Sequence, residues 1–137
     1  MATGTIHQEI ELPATPEEVY EAFTNPIVHT AMTEAPATGN AIVGGNFTAW
    51  DGYIEGTYRV LEPGKRLVMD WSTSEWPDGA EPSELEFTLS PKGIGTLLVM
   101  DHRKVPSEQL SMYTSGWEAS YWQPMRAYFT HLRTTTP

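Results

Sequence analysis

The sequence predicts an α+β fold in which a curved antiparallel β-sheet packs around one long carboxy-terminal helix. The first observation is a stripe of apolar and aromatic residues, three or four apart, at Leu110, Tyr113, Trp117, Tyr121, Met125, Tyr128 and Leu132. The second is a series of segments between residues 46 and 103 in which apolar and polar residues alternate, separated by glycine and proline turns. A helix with a wide apolar face needs a large partner surface, and we expect the strands to provide it.

The amino-terminal segment predicts one strand followed by two short helices. Apolar and polar residues alternate over Ile6–Leu12, which is typical of a half-buried strand. Thr15 and Glu18 then supply an N-cap and a capping-box acid around a proline at the first helical position, which predicts a helix over Pro16–Phe23. The next Asn-Pro pair repeats the start signal and predicts a second helix, Pro26 to about Thr33.

A loop over residues 35–45, rich in small residues, leads into the sheet. The alternating segments predict five strands, at Asn46–Trp50, Tyr53–Leu61, Arg66–Ser74, Glu84–Leu89 and Gly95–Arg103. Asp51-Gly52 suits a type I′ hairpin turn because both central positions need a positive φ, and Pro63-Gly64 predicts a type II turn. The last strand is apolar on both faces, which favours an interior position in the sheet, and Asp70 and Asp101 are expected on the exposed face.

Pro106 and Ser107 mark the entry to the terminal helix. Within that helix Pro124 lacks an amide hydrogen, and its ring opposes the carbonyl of Ser120. We therefore expect a kink between these two residues, or a break into two helices.

Composition excludes several classes of function. The chain has 137 residues, the length of one domain, and we expect residues 1–137 to form one core. It has no cysteine, and its net charge of -10 opposes binding to nucleic acid or to an anionic membrane. A secretion signal and an apolar run long enough to span a membrane are both lacking, so we expect a cytoplasmic protein.

A set of ordered motifs resembles a known family. These motifs are Asp51-Gly52-Tyr53-Ile54-Glu55-Gly56, Leu61-Glu62-Pro63-Gly64-Lys65, Trp71, Trp76-Pro77-Asp78-Gly79, Val105-Pro106 and Gly116-Trp117. Together they resemble the domain shared by the carboxy-terminal half of the activator of Hsp90 ATPase and its stand-alone relatives, in the START-like (SRPBCC, Bet v 1-like, helix-grip) superfamily. The resemblance implies a sheet gripping the helix, often with a cavity for an apolar ligand.

The same resemblance implies Hsp90 as a candidate partner. The two-domain co-chaperone also has an amino-terminal domain that makes much of the stimulating contact, and the sequence shows no counterpart of it. Because the superfamily includes ligand carriers, cyclases, hydrolases and co-chaperones, the fold alone does not define the function.

Twelve residues are candidates to line a ligand cavity between the sheet and the helix. They are Trp50, Tyr58, Met69, Trp71, Phe87, Leu98, Met100, His102, Trp117, Tyr121, Met125 and Tyr128. The alternative is that these side chains fill one another's space and leave no cavity. The tyrosine hydroxyls and tryptophan N–H groups favour a pocket, because buried polar groups need partners.

His102 is the candidate catalytic residue, since strand alternation places it on the same face as Leu98 and Met100. A neutral imidazole there could orient a ligand or act as an acid or base, whereas the alternative is a structural, hydrogen-bonded histidine. The other histidines, at positions 7, 29 and 131, lack metal-ligand spacing, and we expect neither a metal nor a cofactor.

The leading hypothesis is a non-enzymatic domain, monomer or homodimer, that binds a small apolar molecule. The alternatives are an Hsp90 co-chaperone-like interaction module and a small cofactor-free enzyme that uses His102.

Overall fold

The computed structural model describes residues 2–135. Its strands are β1 (Thr3–Leu12), β2 (Thr38–Gly39), β3 (Asn46–Ala49), β4 (Ile54–Glu62), β5 (Arg66–Thr73), β6 (Ser83–Lys92) and β7 (Gly95–Pro106). Its helices are α1 (Pro16–Thr24), α2 (Pro26–Thr33), α3 (Leu110–Trp117) and α4 (Gln123–Thr135). The predicted α+β class is confirmed, with two short helices after β1 and a long helical segment at the carboxy terminus.

The strands form one antiparallel sheet in the order β1-β7-β6-β5-β4-β3-β2. β7 lies between β1 and β6, as its two apolar faces predicted, and extends to Pro106, three residues beyond the predicted end. Leu98 and Met100 are fully buried on its inner face, and Leu97 and Val99 are half-buried on its outer face. The inner face of the sheet therefore provides the apolar surface on which the helices pack.

The two short helices begin where the sequence predicted. In α1 the Glu18 amide donates to Thr15 Oγ1 at 3.2 Å, and the Thr15 amide donates to Glu18 Oε1 at 2.9 Å. In α2 the Ile27 amide donates to Asn25 Oδ1 at 3.0 Å. These caps satisfy donors that a helix start leaves free, so the predicted capping box is confirmed.

Both predicted turns are present. Gly64 has a φ of 71°, and the Lys65 amide donates to the Glu62 carbonyl at 2.9 Å, as a type II turn requires. Asp51 and Gly52 have positive φ, but so does Trp50, at 53°, which the sequence did not predict. The segment predicted as a loop over residues 35–45 contains the two-residue strand β2, which pairs with β3.

A π-helical segment, Glu118–Trp122, joins α3 to α4. It ends two residues before Pro124, in the region where the sequence predicted a kink or a break. The wider turn contains one extra residue, so Tyr121 and Trp122 are both buried and the apolar face continues through Met125 and Phe129. The predicted stripe is therefore corrected in its last turns: Phe129 is 2% exposed, whereas Tyr128 and Leu132 are half-buried.

Ion pairs cover the outer face of the sheet. Arg66 Nε donates to Glu86 Oε2 at 2.6 Å, and Arg103 Nη2 donates to Glu86 Oε1 at 2.8 Å. Asp70 pairs with Arg59 on the same side. Ion pairs at a protein surface contribute little to stability, but these pairs establish which face meets solvent. No helix of residues 2–135 is long and apolar enough to cross a membrane.

Candidate functional site

An open groove of about 450 Å³ lies between α3 and the turn that joins β3 to β4. Its lining consists of Trp50, Tyr53, Ile54, Trp71, Met112, Tyr113, Gly116, Trp117, Ser120 and Tyr121. These side chains are mostly aromatic and none of them is charged. The volume and the apolar lining are those of a site for a small molecule.

Gly116 keeps part of this groove open. A β-carbon built on this residue would have no atom within 4 Å. Glycine inside a helix is destabilising relative to alanine by about 1 kcal/mol, and close packing does not account for it here. The absent side chain leaves space along the α3 wall of the groove.

A second, interior cavity of about 30 Å³ lies between the sheet and the helical segment. The two spaces adjoin, since four residues line both of them: Ile54, Trp71, Trp117 and Tyr121. About 15 Å³ is enough for one water molecule. The interior cavity therefore has room for a group little larger than a water molecule. The groove provides most of the available space.

The twelve predicted lining residues divide into two groups. Seven line one or both of these spaces: Trp50, Tyr58, Met69, Trp71, Phe87, Trp117 and Tyr121. Five line neither: Leu98, Met100, His102, Met125 and Tyr128. The first four of these five are fully buried, and Tyr128 is half-buried beside Phe129.

His102 is held by hydrogen bonds on both ring nitrogens. Trp117 Nε1, which can only donate, donates to His102 Nδ1 at 3.2 Å. The proton of the neutral ring is therefore on Nε2, which donates to Ser83 Oγ at 2.7 Å, and Ser83 donates in turn to the Trp71 carbonyl at 2.7 Å. Burial lowers the His102 pKa from 6.5 to about 3. This geometry is that of a structural histidine and gives the catalytic hypothesis no support.

A second histidine, His29 of α2, contacts the site. Its Nε2 lies 3.0 Å from the Tyr121 hydroxyl, and burial lowers its pKa to about 4, so the ring is neutral near pH 7. His29 Nδ1 and Trp50 Nε1 are buried without hydrogen-bond partners. Trp50 packs edge-on to Tyr121 with 6.4 Å between the ring centroids.

The tyrosines at the outer end of the groove are neutral as well. The Tyr53 hydroxyl donates to Glu75 Oε2 at 2.6 Å, and burial and this carboxylate both raise the Tyr53 pKa. The Tyr113 hydroxyl lies 2.6 Å from Thr73 Oγ1, and burial raises the Tyr113 pKa. The groove therefore presents aromatic rings and uncharged polar groups near neutral pH.

Sequence reasoning missed several of these residues. His29 lies 92 positions from Tyr121 along the chain, and no local pattern connects the two. Tyr113 and Gly116 had a usable signal, since one belongs to the apolar stripe and the other follows it by three residues. Among residues 2–135, histidine, aspartate and glutamate side chains form no group of three suited to a metal ion.

Comparison with known proteins places the chain in a family. Residues 13–130 match the model for activator of Hsp90 ATPase homolog 1-like proteins. The human activator of 90 kDa heat shock protein ATPase homolog 1 is 34% identical over 114 residues, which are 83% of this chain and 33% of that protein. The chain thus spans about a third of the length of this curated relative.

Solved structures share the fold. The crystal structure of an HSP90 activator from Plasmodium falciparum has a TM-score of 0.84 and 21% identity, covering 92% of this chain and 96% of that one. CalU16 from Micromonospora echinospora has a TM-score of 0.71 and 28% identity, covering 95% of this chain and 75% of that one. The match to the family model over most of its length shows that the chain belongs to the activator of Hsp90 ATPase homolog 1-like family.

Proposed function

We propose that this chain is a non-enzymatic binding domain that holds a small, largely apolar molecule in the groove between α3 and the β3–β4 turn. The observation that carries the proposal is the open, uncharged, aromatic groove of about 450 Å³. A bound apolar molecule would bury the exposed parts of this lining, and removing apolar surface from water favours binding. The groove, rather than the 30 Å³ interior cavity, provides the volume for the ligand.

The experiment titrates the protein with prodan, a neutral aromatic ketone whose fluorescence shifts to the blue in apolar surroundings. We expect saturable binding of one molecule per chain. Gly116→Leu should weaken this binding at least tenfold, because the added side chain occupies the groove, whereas it should leave the fold intact because leucine is a better helix former than glycine. Ser115→Leu is the matched control, since Ser115 is exposed and does not line the groove.

Two outcomes would contradict the proposal. One is the absence of saturable binding by prodan or by an uncharged hydrocarbon probe. The other is equal binding by the wild type and by Gly116→Leu, since this would place the probe elsewhere on the protein.

A second candidate function is an interaction module for Hsp90. The supporting observation is the similarity to the human activator of 90 kDa heat shock protein ATPase homolog 1, which is 34% identical to this chain over 114 residues. We expect the chain to co-purify with the Hsp90 of its own organism and to raise its ATPase rate. An unrelated domain of similar net charge controls for electrostatic association, and an unchanged ATPase rate at saturating concentration, without co-purification, would remove this candidate.

A further inference from the structure

Two buried nitrogen atoms beside Tyr121 lack hydrogen-bond partners. Trp50 Nε1 and His29 Nδ1 are two of the three buried side-chain polar atoms without a partner in the part of the chain that the structure describes. Most buried polar groups in native proteins are paired, because an unpaired one is costly. Of these two residues Trp50 lines the groove, so its free N–H indicates a place there for an acceptor from another molecule.

Trp50 Nε1 is a donor in every state of the protein, because an indole nitrogen carries a hydrogen and does not accept hydrogen bonds. His29 Nδ1 has no such fixed role, since either His29 Nε2 or the Tyr121 hydroxyl can donate in their 3.0 Å contact. Trp50 therefore supplies the defined donor.

The backbone holds Trp50 in a sparsely populated conformation. Its φ of 53° lies in the left-handed region, which a bulky residue adopts only when its surroundings require it. The Tyr53 amide donates to the Trp50 carbonyl at 3.1 Å, and the Asp51 amide donates to the Pro36 carbonyl at 2.9 Å. Strained residues of this kind cluster at ligand sites, where the surrounding structure fixes a side chain for contact.

The size and charge of the groove define what could fill it. Its volume of about 450 Å³ admits a ring-containing body, and Trp50 and Tyr121 both line it. The lining residues of the groove and of the interior cavity carry no formal charge near pH 7, and the whole chain has a net charge of -10. A carboxylate or phosphate would lose its hydration there without a compensating cation.

We propose that the groove is a site for a neutral molecule with an apolar ring-containing body and a carbonyl oxygen at its inner end. The body occupies the groove, and the oxygen, at the inner end of the groove beside Tyr121, accepts a hydrogen bond from Trp50 Nε1. This inference rests on the proposed binding function and adds the chemical class of the ligand.

The experiment compares 2-acetylnaphthalene with 2-ethylnaphthalene, which are similar in size and shape and differ in the carbonyl oxygen. Equilibrium dialysis gives a Kd for each compound with the wild type and with Trp50→Phe, which keeps an aromatic ring and removes the donor. We expect the wild type to prefer the ketone, and Trp50→Phe to reduce the ratio of the two Kd values by about three- to tenfold, as for the loss of one neutral hydrogen bond. Trp76→Phe is the matched control, because Trp76 Nε1 already donates to the Glu81 carbonyl at 2.9 Å and lines neither space.

A measurement on the unmutated protein makes the test independent of how Trp50→Phe folds. The indole N–H resonance of Trp50 should move downfield on addition of the ketone and not on addition of the hydrocarbon. Equal Kd ratios in the wild type and Trp50→Phe, or an indole resonance that responds alike to both compounds, would overturn the inference and leave the binding function standing. Saturable binding of neither compound would overturn both.

Discussion

Replacing Phe129 by alanine should lower the free energy of unfolding by about 3–5 kcal/mol, whereas Tyr128→Ala should lower it by about 1 kcal/mol or less. Phe129 is 2% exposed and belongs to the core, and Tyr128 is half-buried at its edge. A regular helix through the predicted stripe would give the opposite order, because it buries Tyr128 and turns Phe129 away. The pair of variants therefore tests whether the π-helical segment shifts the apolar face by one residue.

Urea unfolding of both variants, with the slope of the unfolding curve compared with that of the wild type, measures the two losses. Trp122→Ala serves as a second probe of the shift, because Trp122 is 1% exposed and lies outside the predicted stripe. A larger loss for Tyr128→Ala than for Phe129→Ala would show that the terminal helix keeps regular α-helical phase through Pro124.

The position of the distortion could be predicted from the sequence, but its form could not. Pro124 has no amide hydrogen to donate, whatever surface the helix packs against. A distortion of the helix near Ser120 therefore follows from local chemistry. The form depends on distant residues: Trp122 Nε1 donates to Gln8 Oε1 at 2.7 Å across 114 positions of sequence. Tertiary contacts of this kind select the wider turn that faces both Tyr121 and Trp122 inward.

The same distinction applies to the candidate site. Strand alternation correctly placed Met69, Trp71 and Phe87 on the inner face, because the side-chain period of a strand is fixed by its backbone. Whether space remains between such residues depends on how large side chains from four elements pack. His29, which reaches Tyr121 from α2, lies in a helix whose local pattern carries no sign of that contact.

Acid should destabilise the protein well above the pH at which carboxylates titrate. Burial lowers the pKa of His102 from 6.5 to about 3 and that of His29 from 6.5 to about 4. As the pH falls below 6.5, both rings gain protons in the unfolded chain while they stay neutral in the folded protein. The stability that these two neutral rings contribute is therefore fully present above pH 6.5. It falls as the pH drops toward 4, where His29 begins to titrate in the folded state.

Each histidine contributes a limiting slope of about 1.4 kcal/mol per pH unit, so the pair should approach about 2.7 kcal/mol per pH unit near pH 5. His7 acts in the opposite direction, because hydrogen bonds to Asp101 and Glu9 raise its pKa, so its contribution is present below pH 6.5 and is lost as the pH rises through its folded-state pKa. Urea unfolding between pH 7.5 and 5 measures the net slope. His29→Gln should reduce this slope by about 1.4 kcal/mol per pH unit, the contribution of one proton. His7→Gln should make the slope steeper.

The two variants separate burial from surface charge as the cause of the acid sensitivity. If repulsion among surface charges governed the loss, His29→Gln would leave the slope unchanged, because the wild-type ring is neutral in the folded state throughout this range. An unchanged stability of His7→Gln from pH 6.5 to pH 5, where the opposing contribution of His7 is absent, would show that His29 and His102 titrate alike in the folded and unfolded chains. That result would contradict the buried, neutral imidazoles on which the His102 hydrogen-bond chain and the His29–Tyr121 contact depend.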